Sequence, residues 1–221
     1  MNHPHPSRRQ ATRTLALLGA SLLLPLGPLL AATEADFLAA TKDFDAAQAG
    51  DAAALQRAAD AFQTLQRAEP TNPVLLAYSG AATAMKASTT MLPWKKLGFA
   101  EDGLAMLDKA LELLVPAHDA PLYRSTPAVL ETRLTAANTF LAVRGFMNRG
   151  ERGARLLQQV LDSPLLAASP LPFRGVVWMR AGRQAQKDQR VADARRWYEL
   201  VLAQNAPQAA AARAALKDLP Q

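Results

Sequence analysis

From Thr33 onward the apolar residues recur at helical spacing, and no segment of useful length alternates as a half-buried strand would. Phe37, Ala40, Phe44 and Ala47 form one such series, and Leu55, Ala58, Phe62 and Leu65 the next. Alanine is dense and β-branched runs are scarce, so local preference agrees with the spacing. Turn residues punctuate the pattern at Gly50-Asp51, Pro70-Thr71-Asn72-Pro73, Pro116 to Pro121, Ser163-Pro164, Ser169 to Pro172 and Asn205 to Pro207. Between them fit about eight helices of roughly 10–18 residues, with a last one near 208–218. The expected fold is all-α, with antiparallel neighbours joined by short turns.

The chain has 221 residues, half of them hydrophobic and a fifth charged, enough for one domain with a real core. It contains no cysteine, which excludes disulfides, thiolate zinc sites and cysteine nucleophiles together. Residues 1–14 carry Arg8, Arg9 and Arg13 and no acid. An apolar run from Leu15 to Leu24 follows, broken by Pro25, Gly27 and Pro28, and Leu30-Ala31-Ala32 precedes the first acid, Glu34. A basic start, a short apolar stretch and a small-residue end read as a secretory signal peptide over 1–32, cleaved after Ala32, with the remainder placed in the periplasm. The run is shorter than the ~20 apolar residues of a membrane anchor.

Residues 1–32 hold three basic residues and no acidic ones, so their removal lowers the formal net charge from +6 to +3. The basic balance of an exported chain does not point to nucleic acid. The remaining charge is uneven. Thr33 to Val143 carries nine basic and thirteen acidic side chains, whereas Arg144 to Gln221 carries thirteen basic and six acidic.

Internal repetition sharpens the fold. In 175–207, Trp178 is followed by Ala181-Gly182, then Ala194-x-x-x-Tyr198, then Pro207. This resembles the tetratricopeptide repeat, in which a glycine lets two helices approach and a small residue four before an aromatic accommodates their crossing. Residues 72–116 repeat the signals with Asn72-Pro73, Leu76, Gly80, Gly103-x-x-x-Leu107, Ala110 and Pro116. An extra stretch, Ala87 to Lys96, stands between the two helices, and the second is expected to start at Phe99. Residues 36–70 show Ala58-x-x-x-Phe62 with Pro70, and 126–164 has the lengths with almost none of the markers. The resemblance implies stacked antiparallel helix pairs over residues 33–221, an α-solenoid of about four units with a C-terminal capping helix.

Motifs for chemistry are lacking. Beyond the expected signal segment the sole histidine is His118, in the proline-bounded loop Val115 to Pro121, and there is no G-x-S-x-G. No acid-rich loop has calcium spacing, so neither a metal nor a cofactor is expected. Asp43, Asp45 and Asp51 read as helix-end capping and solvation. Gly145, Gly150 and Gly153, with no following Lys-Ser/Thr, read as turn glycines. The expectation is a noncatalytic protein.

The resemblance also implies a concave groove lined by the first helix of each unit. In the last unit Met179, Arg183, Gln186 and Lys187 share that face. In the second unit Val74, Ala77, Tyr78, Ala81 and Met85 do. Arg133 on the intervening helix is placed to join Arg183. A groove apolar at one end and basic at the other suits an extended, acidic or carboxylate-bearing segment of an envelope protein or peptide. Trp94, beside Lys95 and Lys96, is a further candidate contact for a partner or a membrane surface. The favoured function is an exported scaffold or adaptor. The alternatives are a periplasmic carrier of an apolar small molecule or lipid, and a noncatalytic subunit of an envelope transporter complex.

Overall fold

A computed structural model describes Met1, residues 32–143 and residues 147–220. The expected signal segment, save Met1 and Ala32, and Gly145 lie outside the described residues. Local chemistry sets where the helices begin. Thr33 and Asp36 form a reciprocal capping box at the start of α1 (Glu34–Gln48). Asp51 accepts from the amides of Ala53 and Ala54 and starts α2 (Ala52–Ala68), while Asn72 does the same for Val74 and Leu75 ahead of Pro73 in α3 (Pro73–Thr89). These are followed by α4 (Pro93–Glu112), a 3-10 turn (Pro116–Asp119), β1 (Pro121–Tyr123), β2 (Thr126–Pro127) and α5 (Ala128–Ala142). The chain ends with α6 (Gly150–Leu161), α7 (Pro164–Ala168), α8 (Leu171–Lys187), α9 (Val191–Ala203) and α10 (Ala209–Lys217).

The helices pack as adjacent pairs: α1 on α2, α3 on α4, α5 on α6, and α8 on α9, with α10 against α9. The fold is all-α and repeat-like, and among the described residues eight long helices and a shorter last one match the spacing read from the sequence. α3 and α5 are apolar nearly all round and sit deepest, with Val74 to Ala82 and Ala128 to Thr132 buried. α3 touches α2, α4 and α5.

Glycines set the tightest crossings. A Cβ on Gly103 would lie 2.5 Å from the Ala84 amide nitrogen, and one on Gly80 would lie 2.8 Å from the Gly103 carbonyl oxygen. One on Gly182 would lie 2.7 Å from Cδ1 of Tyr198. These distances leave no room for a side chain. Gly153 corrects the reading of the third unit: it lies on α6, where a Cβ would come 2.8 Å from Leu141, so it is a close-approach glycine and not a turn glycine. Gly150 is the first residue of α6, with open space around it.

Three further differences have local causes. The stretch 87–96 is not an inserted loop, and α4 starts at Pro93 and not at Phe99, because proline suits the first helical turn. Those residues lengthen α3 and α4 by extra turns. The proline-bounded segment after Pro116 holds a small antiparallel hairpin, with Pro121 opposite Pro127 and Tyr123 opposite Thr126. Ser163-Pro164 starts the short helix α7, with the Ser163 side chain accepting from the Leu165 amide.

Candidate binding surfaces

The hairpin carries a buried polar cluster. Arg124 and Ser125, at its tip, have φ of 53° and 54°, left-handed values that twist two strands correctly but cost non-glycine residues energy. The conformation aims the Arg124 guanidinium inward. It donates to the Tyr78 hydroxyl on α3 at 2.8 Å and to Oε1 of Glu131 on α5. The Tyr78 hydroxyl donates to the same Glu131 oxygen at 3.1 Å. Arg124 also lies 5.0 Å over the Phe37 ring of α1, and its amide donates to Glu34 at 3.1 Å.

Glu131 is 2% exposed, and its second oxygen, Oε2, has no partner among the described residues. Burial raises its carboxyl above the ordinary range, against the opposing pull of Arg124. Burial and then the Glu131 charge raise the Tyr78 phenol well above its usual value. On β1, Tyr123 stacks on Phe37 with ring centroids 4.2 Å apart and its hydroxyl accepts from Asn72 at 3.0 Å. Burial and then the Glu69 charge push Tyr123 up to about 12. The hairpin therefore ties α1, α3 and α5 together.

This cluster overturns one end of the expected groove. Tyr78 is buried, stacked on Phe62 at 4.8 Å, with Val74, Ala77 and Ala81 buried beside it. The chain's own aromatic core and hairpin occupy the space assigned to a partner. Met85 is half-buried against the same core. Met179, at the other end, is also buried, in the core of the last helix pair with Trp178, Ala194 and Tyr198. Apolar side chains on the inner helices satisfy one another first, so they are not free anchors.

The basic end stays open. Arg183 and Lys187 are exposed on α8, and neither makes an ion pair among the described residues. Arg180 stands one turn earlier on the same face, half-buried, donating to the Asn138 carbonyl at 3.4 Å. Burial and then the Arg183 charge pull the Arg180 guanidinium down. Gln186, the fourth residue of that face, accepts from the Tyr198 hydroxyl at 3.0 Å.

Arg133 does not join Arg183. It lines a concavity with Arg152 and Arg155 of α6, where Arg183 takes no part, because Arg133 faces the α4–α6 side of α5. Trp94 is 68% exposed, and Met91, Leu92 and Leu97 are exposed near it at the start of α4. His118 accepts from the Val115 amide at 3.0 Å and closes its own turn. Among the described residues no three His, Cys, Asp or Glu side chains cluster as metal ligands. No helix among them is long and apolar enough to cross a membrane.

Sequence reasoning missed Arg124, Glu131 and Tyr123. The available signal was a lone acid inside the apolar run Ala128 to Ala137, just after Tyr-Arg-Ser-Thr-Pro. A buried acid demands a cation; Arg133, two residues on, lines the concavity with Arg152 and Arg155 instead, and Arg124 is the one that reaches Glu131. No family model, curated protein or solved structure matches the chain.

Proposed function

We propose that the chain is an exported, noncatalytic adaptor of the tetratricopeptide kind, which holds an acidic segment of an envelope protein along α8. One observation carries the reading. Arg180, Arg183 and Lys187 form a stripe at spacings of three and four, with no acidic partner among the described residues. Like charges held side by side are unfavourable alone and favourable to an anion. The basic excess of the C-terminal half points the same way. The contact would be electrostatic along an exposed helix face, not an apolar groove.

The test is capture from the periplasmic fraction of the native host by the full gene product carrying a C-terminal tag. Arg183→Glu with Lys187→Glu should abolish capture and leave folding unchanged, with stability moving by about 0.5 kcal/mol or less per surface site. Arg213→Glu with Lys217→Glu is the matched control, since both are exposed on α10 with the same spacing. Capture should weaken as salt rises. Equal loss in both pairs would reduce the effect to overall charge, and retention by both with loss in Trp94→Ala would move the contact to the start of α4. N-terminal sequencing of the same bait should read from near Thr33, and an intact Met1-to-Ala32 segment would rule out export by cleavage.

A further inference from the structure

Arg133 of α5 and Arg152 and Arg155 of α6 turn toward one concavity of about 420 Å³. Leu111 at the end of α4, Leu114 just beyond it, and Leu156 and Gln159 of α6 complete its wall. The volume lies within the range of small-molecule sites, ~300–1,000 Å³.

The charge there does not balance. Asp108 of α4 is the carboxylate that reaches these arginines most closely, and two guanidinium groups share it: Arg152 at 2.5 Å and Arg149 at 2.9 Å. Both also lie over the Phe140 ring, at 5.3 and 5.5 Å, which fixes them. Arg155 meets only Glu151 on its own helix, at 3.6 Å and exposed, a weak pair. Arg133 makes no ion pair and no hydrogen bond among the described residues. Positive charges therefore converge on a hollow walled partly by leucine.

We infer that this concavity binds an anionic amphiphile, a phosphate or carboxylate head on a short apolar body, with Arg133 and Arg155 engaging the head and the partly buried Leu111 and Leu114 the body. Guanidinium forks match these oxyanions in geometry, and charge-assisted hydrogen bonds are the strong ones. The leucines add affinity that a bare anion cannot use. The inference is independent of the α8 stripe, which lies on another helix and takes a macromolecule. Either a lipid headgroup with its first chain carbons or a soluble organic anion has this chemistry.

The probe is octyl phosphate, titrated by calorimetry into the full chain at low salt and below micelle formation. The expected result is one site, with inorganic phosphate and octanol each binding at least tenfold more weakly. Arg133→Gln should weaken octyl phosphate about tenfold or more, whereas Arg213→Gln on α10 should not change it. If Arg133→Gln fails to fold, Arg155→Gln serves, because that side chain is exposed. Vesicles of phosphatidylcholine with and without phosphatidic acid separate the sources. Arg133-dependent sedimentation with the phosphatidic acid vesicles assigns a lipid, and binding of octyl phosphate alone assigns a soluble anion. Octyl phosphate no tighter than inorganic phosphate, or equal loss in Arg133→Gln and Arg213→Gln, overturns the site.

Discussion

At the scale of single residues, Glu131 is a costly choice. A carboxylate placed among α3, α5 and a hairpin forgoes water on both oxygens and recovers partners for one. Arg124 supplies the countercharge, and that requires two successive left-handed residues at the hairpin tip, each costing ~1–3 kcal/mol. The raised Glu131 carboxyl links this cluster to pH. In the window from the ordinary carboxylate range up to its folded value, the native state binds a proton that the unfolded chain does not. Its contribution to stability is therefore fully present at the acidic end and is lost as pH rises through the folded value. Glu131→Gln removes that titration. Thermal melts of both proteins from about pH 4 to 8 should show the wild type gaining on Glu131→Gln as pH falls, and parallel curves would refute it. Arg124→Ala leaves the acid without its cation and should cost on the order of 2–3 kcal/mol. That is below the ~3–5 kcal/mol of a fully buried pair, because Arg124 is a third exposed.

Among elements, the helix pairs were readable because their close approach is written in one residue type at a fixed place. Gly182 meets Tyr198, and Gly80 meets Gly103, at glycines the sequence marks for close approach. Gly182→Leu would drive four carbons into the Tyr198 ring and should cost at least the upper part of ~1–3 kcal/mol. Circular dichroism should then report a melting temperature several degrees lower. An unchanged melt would mean that α8 and α9 do not meet there. In the sequence Gly153 reads as a turn glycine because no Lys-Ser/Thr follows it, and its partner, Leu141, is an ordinary apolar residue that flags nothing. The hairpin was illegible for a different reason. Its strands are three and two residues long, too short for any alternation, and what holds it is contact with α1, α3 and α5 across as many as 90 residues of sequence. The same gap lets helical spacing alone place Tyr78 on a partner-facing groove. Helical spacing shows which residues share a face, but not whether a distant hairpin already covers it.

Over the whole molecule, the apolar side chains divide into successive clusters rather than one centre. Phe37, Phe62, Leu75 and Tyr78 centre the first cluster, Leu107, Leu130, Phe140 and Val160 the middle one, and Trp178, Tyr198 and Val201 the last. α3 serves the first two clusters. α8 joins the last two, mainly through Val177, and its interface with α6 is far smaller than its interface with α9. Such an array unfolds in sections when one seam is thin, because each unit depends chiefly on its neighbours. α10 closes the open side of the last cluster, where Ala212 and Leu219 are buried and Leu216 is partly covered. Ending the chain at Ala206 removes that cover and should cost roughly 3–4 kcal/mol of apolar burial, most of it from the two leucines. Hydrogen exchange read by mass spectrometry should show protection falling in α8 and α9 while α3 and α5, at the junction of the first two clusters, keep theirs. The Arg124–Glu131 cluster spans α1, α3 and α5 and so belongs to the retained part, and the pH dependence of melting assigned to it should persist in the shortened chain. A uniform loss of protection from α1 to α9 would instead make the clusters one cooperative unit, and the sectional account would fail.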